Sequence, residues 1–439
     1  MKTAKLDNFA KPQKPWEVEG VEWREVRLGD KNYFNIILGK TPKKANYTNI
    51  ETPYKVLKFR DIKDRGIIDW NNKKEGFVKN PEGLIRLLDK DILITSAGHS
   101  HEALGKKVAF VDFIPKKFKH VFFVGELICV RSKKNIYPKF AFYCLASVNA
   151  YKQIQELVGK GKHLTKNRLS LVKIPIPFRN GKPDLETQKK IIEYIEANFS
   201  RIDAILEKKK KELEKLDELW ESVLEQAFKL KEGEEWKEVR LGEIAKVVGG
   251  STAPQDKKSY ENGKYLFVRV SDLGAKKNFS PLMDTKDKLN EEGIKRNKLV
   301  LVPENTIVFP KSGAAILTNS RGILGKEAYI VNHLAGIIAL KNKSYPRYLL
   351  FYLSKLDMGK YISPDSSYPS LKLETIKKLK IPLPFRNNQP DLEKQKEIAN
   401  YLDSVYEKIK ALKEKIQNQI TQLEEMKESI LDEVFGHEN

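Results

Sequence analysis

Apolar positions along this chain follow two rhythms, and each rhythm occurs twice. From Asp184 onward apolar side chains recur at steps of three and four: Ile192, Ile195, Phe199, Ile202, Leu206, Leu213, Leu216, Trp220, Val223 and Ala227, broken only at Lys209. A second stripe carries Leu402, Val405, Ile409, Leu412, Ile416, Leu423, Met426 and Ile430. Each predicts a helix of about 40–45 residues, roughly 60–70 Å long. Pro183-Asp184 and Pro390-Asp391 stand at the helix starts, with acidic residues in the first turn. Stripes of this length cannot stay wet, so the two helices are expected to pack on each other, antiparallel. Pairing with another chain is the alternative.

Ahead of each stripe lies a mixed segment. In the first, KVLKFRDI (55–62), DILITSA (91–97), KVAFVDFI (107–114) and HVFFVGELICV (120–130) are β-like, and apolar periodicity predicts helices around 137–147 and 149–158. In the second, YLFVRVSDL (265–273), NTIVFP (305–310), EAYIV (327–331) and LAGIIAL (334–340) precede a helix over about 346–356. Both segments read as α+β domains.

The two halves also share words. EWREVRLG (22–29) returns as EWKEVRLG (235–242), and IPIPFRN (174–180) as IPLPFRN (381–387). PDLE and a helical tail follow each time, and the tails align without a gap from Pro183/Pro390 to Phe228/Phe435. Between these landmarks most residues differ. Repeats of this period are duplicated domains rather than a solenoid. A fixed frame carrying two variable domains suggests a device that reads two different things at a set separation.

Lys and Arg total 81 against 59 Asp and Glu, a net charge of +22 on 439 residues. That excess points to a polyanion, and nucleic acid is the commonest one. The bland alternative is a protein that is merely lysine-rich. With only Cys129 and Cys144 there is no disulfide framework and no CxxC metal signature. No apolar run is long enough to span a membrane. The start, MKTAKLDNFAKPQKP, lacks the apolar core of a secretion signal, so a cytoplasmic location is expected.

Catalytic constellations are missing. GHSHEALGKK (98–107) and GILGKE (322–327) resemble phosphate loops, but Lys107 and Glu327 stand where Ser or Thr would bind magnesium. No glycine-rich fingerprint follows a strand, and the Asn/Asp-Pro-Pro-aromatic tetrapeptide of amino-methyltransferases is missing. Pro390 to Lys394 hints at a nuclease motif, yet its acidic residues open a helix and read as caps. His99 and His101 lack a third ligand, so no metal is expected. The chain is expected to catalyse nothing by itself and to need no cofactor.

These elements, in this order and in both copies, resemble the specificity subunit of type I restriction–modification systems. The carriers are W-x-x-V-x-L-G at Trp23–Gly29 and Trp236–Gly242, then DILITSAG (91–98) and NTIVFPKSG (305–313), each running to Leu-Gly-Lys at 104–106 and 324–326. I-P-x-P-F-R-N, then D-L-E-x-Q-K (184–189 and 391–396), and a long helix complete the match. The resemblance implies an α+β chain in which two similar target-recognition domains are separated by two long helices packed as an antiparallel coiled coil. It divides into a polar leader (1–21), recognition domain 1 (22–180), spacer helix 1 (181–232), recognition domain 2 (233–387) and spacer helix 2 (388–439). Each domain would read half of a split DNA sequence. The helices would fix the separation and dock two methyltransferase subunits, with a motor-nuclease subunit joining for cleavage. A stand-alone DNA-binding protein and a coiled-coil scaffold are the alternatives.

Basic and polar side chains on loops suit phosphate and base-edge contacts. In domain 1 the candidates are Arg60, Ser96, His99, Ser100, His101, Lys106, Lys107, Lys160, Lys162, His163, Lys166, Asn167 and Arg168. In domain 2 they are Arg269, Lys311, Ser312, Thr318, Asn319, Ser320, Arg321, Lys326, Ser367, Tyr368, Ser370 and Lys372. Against each stands the plainer role of a solvated lysine or a turn-capping hydroxyl. Arg60 and Arg269, inside β-like runs, are equally candidates for internal ion pairs. Trp220, Phe228 and Phe435, near the helix ends, are candidates for contact with a partner subunit or for the rod core.

Overall fold

The computed structural model describes residues 14–63, 66–97, 103–159, 161, 163–229, 235–274, 279–362 and 369–436. The chain divides into two compact units, Met1–Lys209 with Asn418–Asn439, and Lys210–Gln417.

In the first unit the opening motif, Glu22–Arg27, pairs antiparallel with Lys173–Arg179, which turns back to Lys182–Pro183. Asn180 (φ 51°) and Gly181 (φ 73°) supply the two left-handed residues that a tight hairpin needs. The second unit repeats this with Trp236–Arg240, Lys380–Arg386 and Gln389–Pro390, turning at Asn387 (φ 50°) and Asn388 (φ 60°). The prolines of I-P-x-P disguise these strands, because a residue without N–H argues against a sheet. Their alternate spacing resolves the conflict. Toward any one neighbour an antiparallel strand bonds through every second residue, and Ile174, Ile176 and Phe178, alternating with the prolines, are buried.

Two larger sheets make up each α+β domain. In the first, Phe34–Leu38, Leu127–Ser132, Ile92–Thr95 and Val108–Phe110 lie side by side in that order. A second sheet is ordered Tyr47–Thr48, Phe77–Val78, Tyr54–Leu57, His120–Phe123, Arg86–Leu87, with a parallel pair at its centre. The second domain has Ala245–Gly249, Leu334–Ala339, Ile307–Pro310, Gly322–Leu324 and Pro281–Leu282 in one sheet. Its other sheet contains the parallel pair Tyr265–Val268 and Ala328–Ile330. Helices Pro138–Leu145 and Pro346–Lys355 pack on the first-named sheets, Val148–Val158 packs against Lys173–Arg179 and enters the same core, and all three lie where the period of 3.6 predicts them.

The long helices run Leu185–Ala227 and Leu392–Phe435, 43 and 44 residues. In the first unit Ile191 and Ile195 of one and Leu431, Val434 and Phe435 of the other enter a single core with the domain. In the second unit Trp220, Leu224 and Phe228 meet Ala399, Leu402 and Ile409 in the same way. Within each unit the two helical segments therefore run antiparallel.

The seam of the second helix departs from the expected register. Leu412 and Met426 are exposed (49% and 52%), while Lys413 and Lys427 take the seam positions beside them. Lys413 pairs with Asp217; Lys427 pairs with Asp203 at 2.6 Å and lies 4.9 Å over the Phe199 ring. The long lysine stem buries its methylenes while its ammonium finds an acid, so an apolar count alone misses these positions.

Duplicated polar ties fix each helix start. Gln188 Oε1 accepts from Tyr137 N at 3.0 Å, and Gln395 Oε1 from Tyr345 N at 2.9 Å. Asp184, 8% exposed, accepts from the amides of Glu186 and Thr187, the Thr187 hydroxyl and Arg179 Nε; Asp391 accepts from Lys394 N and pairs with Arg386. Burial alone would raise the Asp184 pKa, but Arg179 and Thr187 hold it below the usual carboxylate value. A folded pKa below the unfolded one contributes stability above about pH 4, lost as pH falls through the folded value. Asp184→Asn is accordingly expected to cost about 1–2 kcal/mol near neutral pH and less in acid. Urea midpoints across that range test this, and an equal loss at every pH would contradict it.

Candidate nucleic-acid interface

Both domains build the same junction at the end of a central strand. After Ile92–Thr95, Ser96 N donates to Glu126 O (2.9 Å), Leu164 N to Ser96 O (2.9 Å), and Ala97 bridges His163. After Ile307–Pro310, Lys311 N donates to His333 O (2.8 Å), Leu371 N to Lys311 O (2.8 Å), and Ser312 bridges Ser370. Glycines let the chains cross nearby. A Cβ on Gly39 would meet Val124 O at 2.1 Å, and one on Gly250 would meet Val331 O at 2.1 Å.

The described first-domain candidates stand in several environments. His163, Lys166 and Asn167 are exposed on and beside the short helix Lys166–Leu169; Arg168 donates to His163 O at 3.1 Å. Lys106 is exposed, while Lys107 donates to Ile62 O at 3.1 Å and lies over Phe59. Arg60 pairs with Glu75 at 3.6 Å and donates to Lys74 O, an internal tie. His99, Ser100, His101, Lys160, Lys162, Ser367 and Tyr368 lie outside the described residues.

In the second domain Ser312 Oγ lies 2.6 Å from His333 Nδ1, with Lys311 half-buried beside it and Ser370 and Lys372 exposed. Lys326 is exposed and lines a shallow polar groove with Lys264 and Lys288. Thr318 is exposed, its hydroxyl 2.7 Å from Ala315 O, and Asn319 (φ 53°) ends the one-turn helix Ala314–Thr318. Arg269 pairs with Asp287, the other internal tie.

Three candidates have no surface to offer. Ser96 is 4% exposed and its hydroxyl donates to Gly125 O; Ser320 and Arg321 are each 1% exposed. Ser320 donates to Gly274 O. The Arg321 guanidinium is held by the carbonyls of Ser320, Leu353 and Leu356 and by Asn319 Oδ1, over the Phe309 ring. Burial pushes its pKa down to about 9, countered only by the field of Asp357. It ties the loop to the domain instead of facing solvent.

Trp220, Phe228 and Phe435 are core residues, 7%, 5% and 2% exposed. Trp220 packs against Phe279, Phe351 and Tyr406, Phe228 against Tyr348 and Tyr352, and Phe435 against Phe140. Their place at helix ends suggested a partner surface, but these ends are where the helices dock on the domains.

Local composition does not mark Glu126 or His333. Both are exposed at the junction, inside the words VGEL (124–127) and VNHL (331–334), and alignment of those words is the signal that finds them. Among the described residues no group of three or more His, Cys, Asp or Glu side chains is placed to hold a metal, and no helix is long and apolar enough to cross a membrane.

Residues 20–215 and 233–422 match the model of the type I restriction modification DNA specificity domain. The chain is 28% identical over 330 residues to the type I restriction enzyme MjaIX specificity subunit of Methanocaldococcus jannaschii, covering 69% of this chain and 71% of that one. With the MjaVIII specificity subunit of the same organism it shares 24% over 436 residues, 90% and 91% of the two chains. A solved chain from work on complex assembly and conformational transition of the type I R-M system superposes with a TM-score of 0.66 at 18% identity, over 94% of this chain and 97% of its own, a likeness of fold.

Proposed function

Since the chain belongs to the type I restriction modification DNA specificity family, we propose that its two domains each read one half of a split, asymmetric duplex sequence. As a specificity subunit it is the non-catalytic member of its system. In the proposed complex two methyltransferase subunits carry the adenine chemistry, a motor-nuclease subunit adds cleavage, and the long helices are the dock and set the distance between half-sites. The observation that carries the reading is the duplicated junction. One backbone arrangement recurs in both domains with different side chains on it, as two readers of different sequences require.

Lysines and arginines around the readers, Lys166 and Arg168 among them, hold phosphates and supply affinity that is blind to sequence and falls with salt. Loop side chains reaching base edges supply the choice of sequence. Exchange of residues 243–379, between the frame motifs, for the matching segment of a family member with another target tests the division of labour. Methylation mapping is expected to show one half-site replaced and the other kept. Replacement of both halves, or of neither, would contradict it.

A further inference from the structure

Superposing the two junctions bond by bond makes Glu126 the counterpart of His333. Gly39 N donates to Leu127 O (3.1 Å) as Gly250 N does to Leu334 O (3.2 Å). Val124 N donates to Leu57 O (3.1 Å) as Val331 N does to Val268 O (3.0 Å), and Leu127 N to Val124 O (3.0 Å) as Leu334 N to Val331 O (2.9 Å). The four-residue turns between these bonds are therefore the same turn, with Glu126 and His333 at its exposed third position. The backbone of both residues is fixed by the carbonyl that accepts from Ser96 N or Lys311 N, while both side chains stand in solvent.

What the positions carry differs in chemistry: a carboxylate in one domain and an imidazole in the other. The first domain offers a carboxylate, which only accepts. The second offers an imidazole whose Nδ1 is engaged by the Ser312 hydroxyl at 2.6 Å, with Lys311, whose N–H is bonded to the His333 carbonyl and whose ammonium can only donate, on the adjoining strand end. In the tautomer where Ser312 donates to Nδ1, Nε2–H is left as a donor. An acceptor matches the N4 amino group of cytosine, and donors match O6 and N7 of guanine. An exposed carboxylate repels phosphates, so on a DNA-facing surface of a chain of net charge +22 it suits a base edge that donates and not the backbone.

We propose that the third position of this turn is a base-selecting position in both domains, Glu126 taking a cytosine in one half-site and His333 with Lys311 a guanine in the other. The inference rests on the specificity reading above. The test is methylation mapping with the chain co-expressed with the methyltransferase subunits of its system, for the wild type, Glu126→Gln and His333→Gln. Both residues are exposed, so folding is expected to survive, and thermal melts of the purified chains verify it. Expected is a loss of preference of roughly tenfold at one base pair, the scale of one good base-edge contact. It should fall in the first domain's half-site for Glu126→Gln and in the second's for His333→Gln, with the remaining positions unchanged. Glu126→Gln should also leave affinity for unrelated duplex undiminished. An intact wild-type motif that neither variant alters overturns this inference alone, as does uniform loss of methylation with a normal melt. A wild type that yields no split motif overturns the specificity reading and this inference with it.

Discussion

Trp220→Ala is expected to unfold the second unit at a temperature roughly 10 °C below the wild type, corresponding to a loss of about 3–5 kcal/mol. The ring is 7% exposed and makes edge contacts with Phe279 and Phe351 and a tilted contact with Tyr406, at centroid distances of 5.4, 5.9 and 5.4 Å. Those partners come from a loop residue, the helix Pro346–Lys355 and the second long helix, so truncation opens a hole where three segments meet. A domain is stable by only about 5–15 kcal/mol in all, so the loss is a large fraction. Trp220→Phe should recover most of it, since the indole N–H has no acceptor among the described residues. Calorimetry of the three chains checks this. A wild-type melt for Trp220→Ala, with assembly of the complex lost, would return Trp220 to a partner surface.

Removing one heptad from each long helix, residues 207–213 and 417–423, is expected to change the gap between half-sites while leaving both half-sites as they are. Both helices must be cut. Asp203–Lys427 and Asp217–Lys413 flank the deleted stretches on the two sides, so a matched deletion preserves both ion pairs and a single one does not. Seven helical residues span about 10 Å, or roughly three base pairs of duplex at 3.4 Å each. Methylation mapping reads the new gap directly. Altered half-sites with an unchanged gap would remove the proposed ruler.

Much of the framework was legible because it rests on periodicity. Stripes of three and four positions predicted helices that run Leu185–Ala227 and Leu392–Phe435. Runs rich in Val and Ile contained the central strands Ile92–Thr95 and Ile307–Pro310. HVFFVGELICV, one apolar run in sequence, is two strands joined through Val124–Glu126, because Gly39 crosses there and the chain must turn. The sheet of the repeated motifs was hidden by its prolines. Lys413 and Lys427 were hidden by a scheme that counts lysine as polar along its whole length.

The candidate site was legible as loops and not as residues. Lys166, Lys326 and Lys372 are as exposed as a loop lysine should be, but Arg321, in an equally polar stretch, is enclosed by carbonyl oxygens. Composition does not distinguish an arginine that faces DNA from one that secures a loop. That difference depends on which backbone oxygens the fold brings within reach. Glu126 is hidden for the opposite reason, since an acid does not suit a phosphate.

In the proposed function this chain alone chooses the DNA sequence that its system methylates. Its most direct test is genome-wide mapping of N6-methyladenine in cells carrying the methyltransferase subunits with and without the chain. A split, asymmetric motif present with the chain and absent without it is the expected result. The same motif in both, or no motif in either despite a stable complex on DNA, would contradict the account.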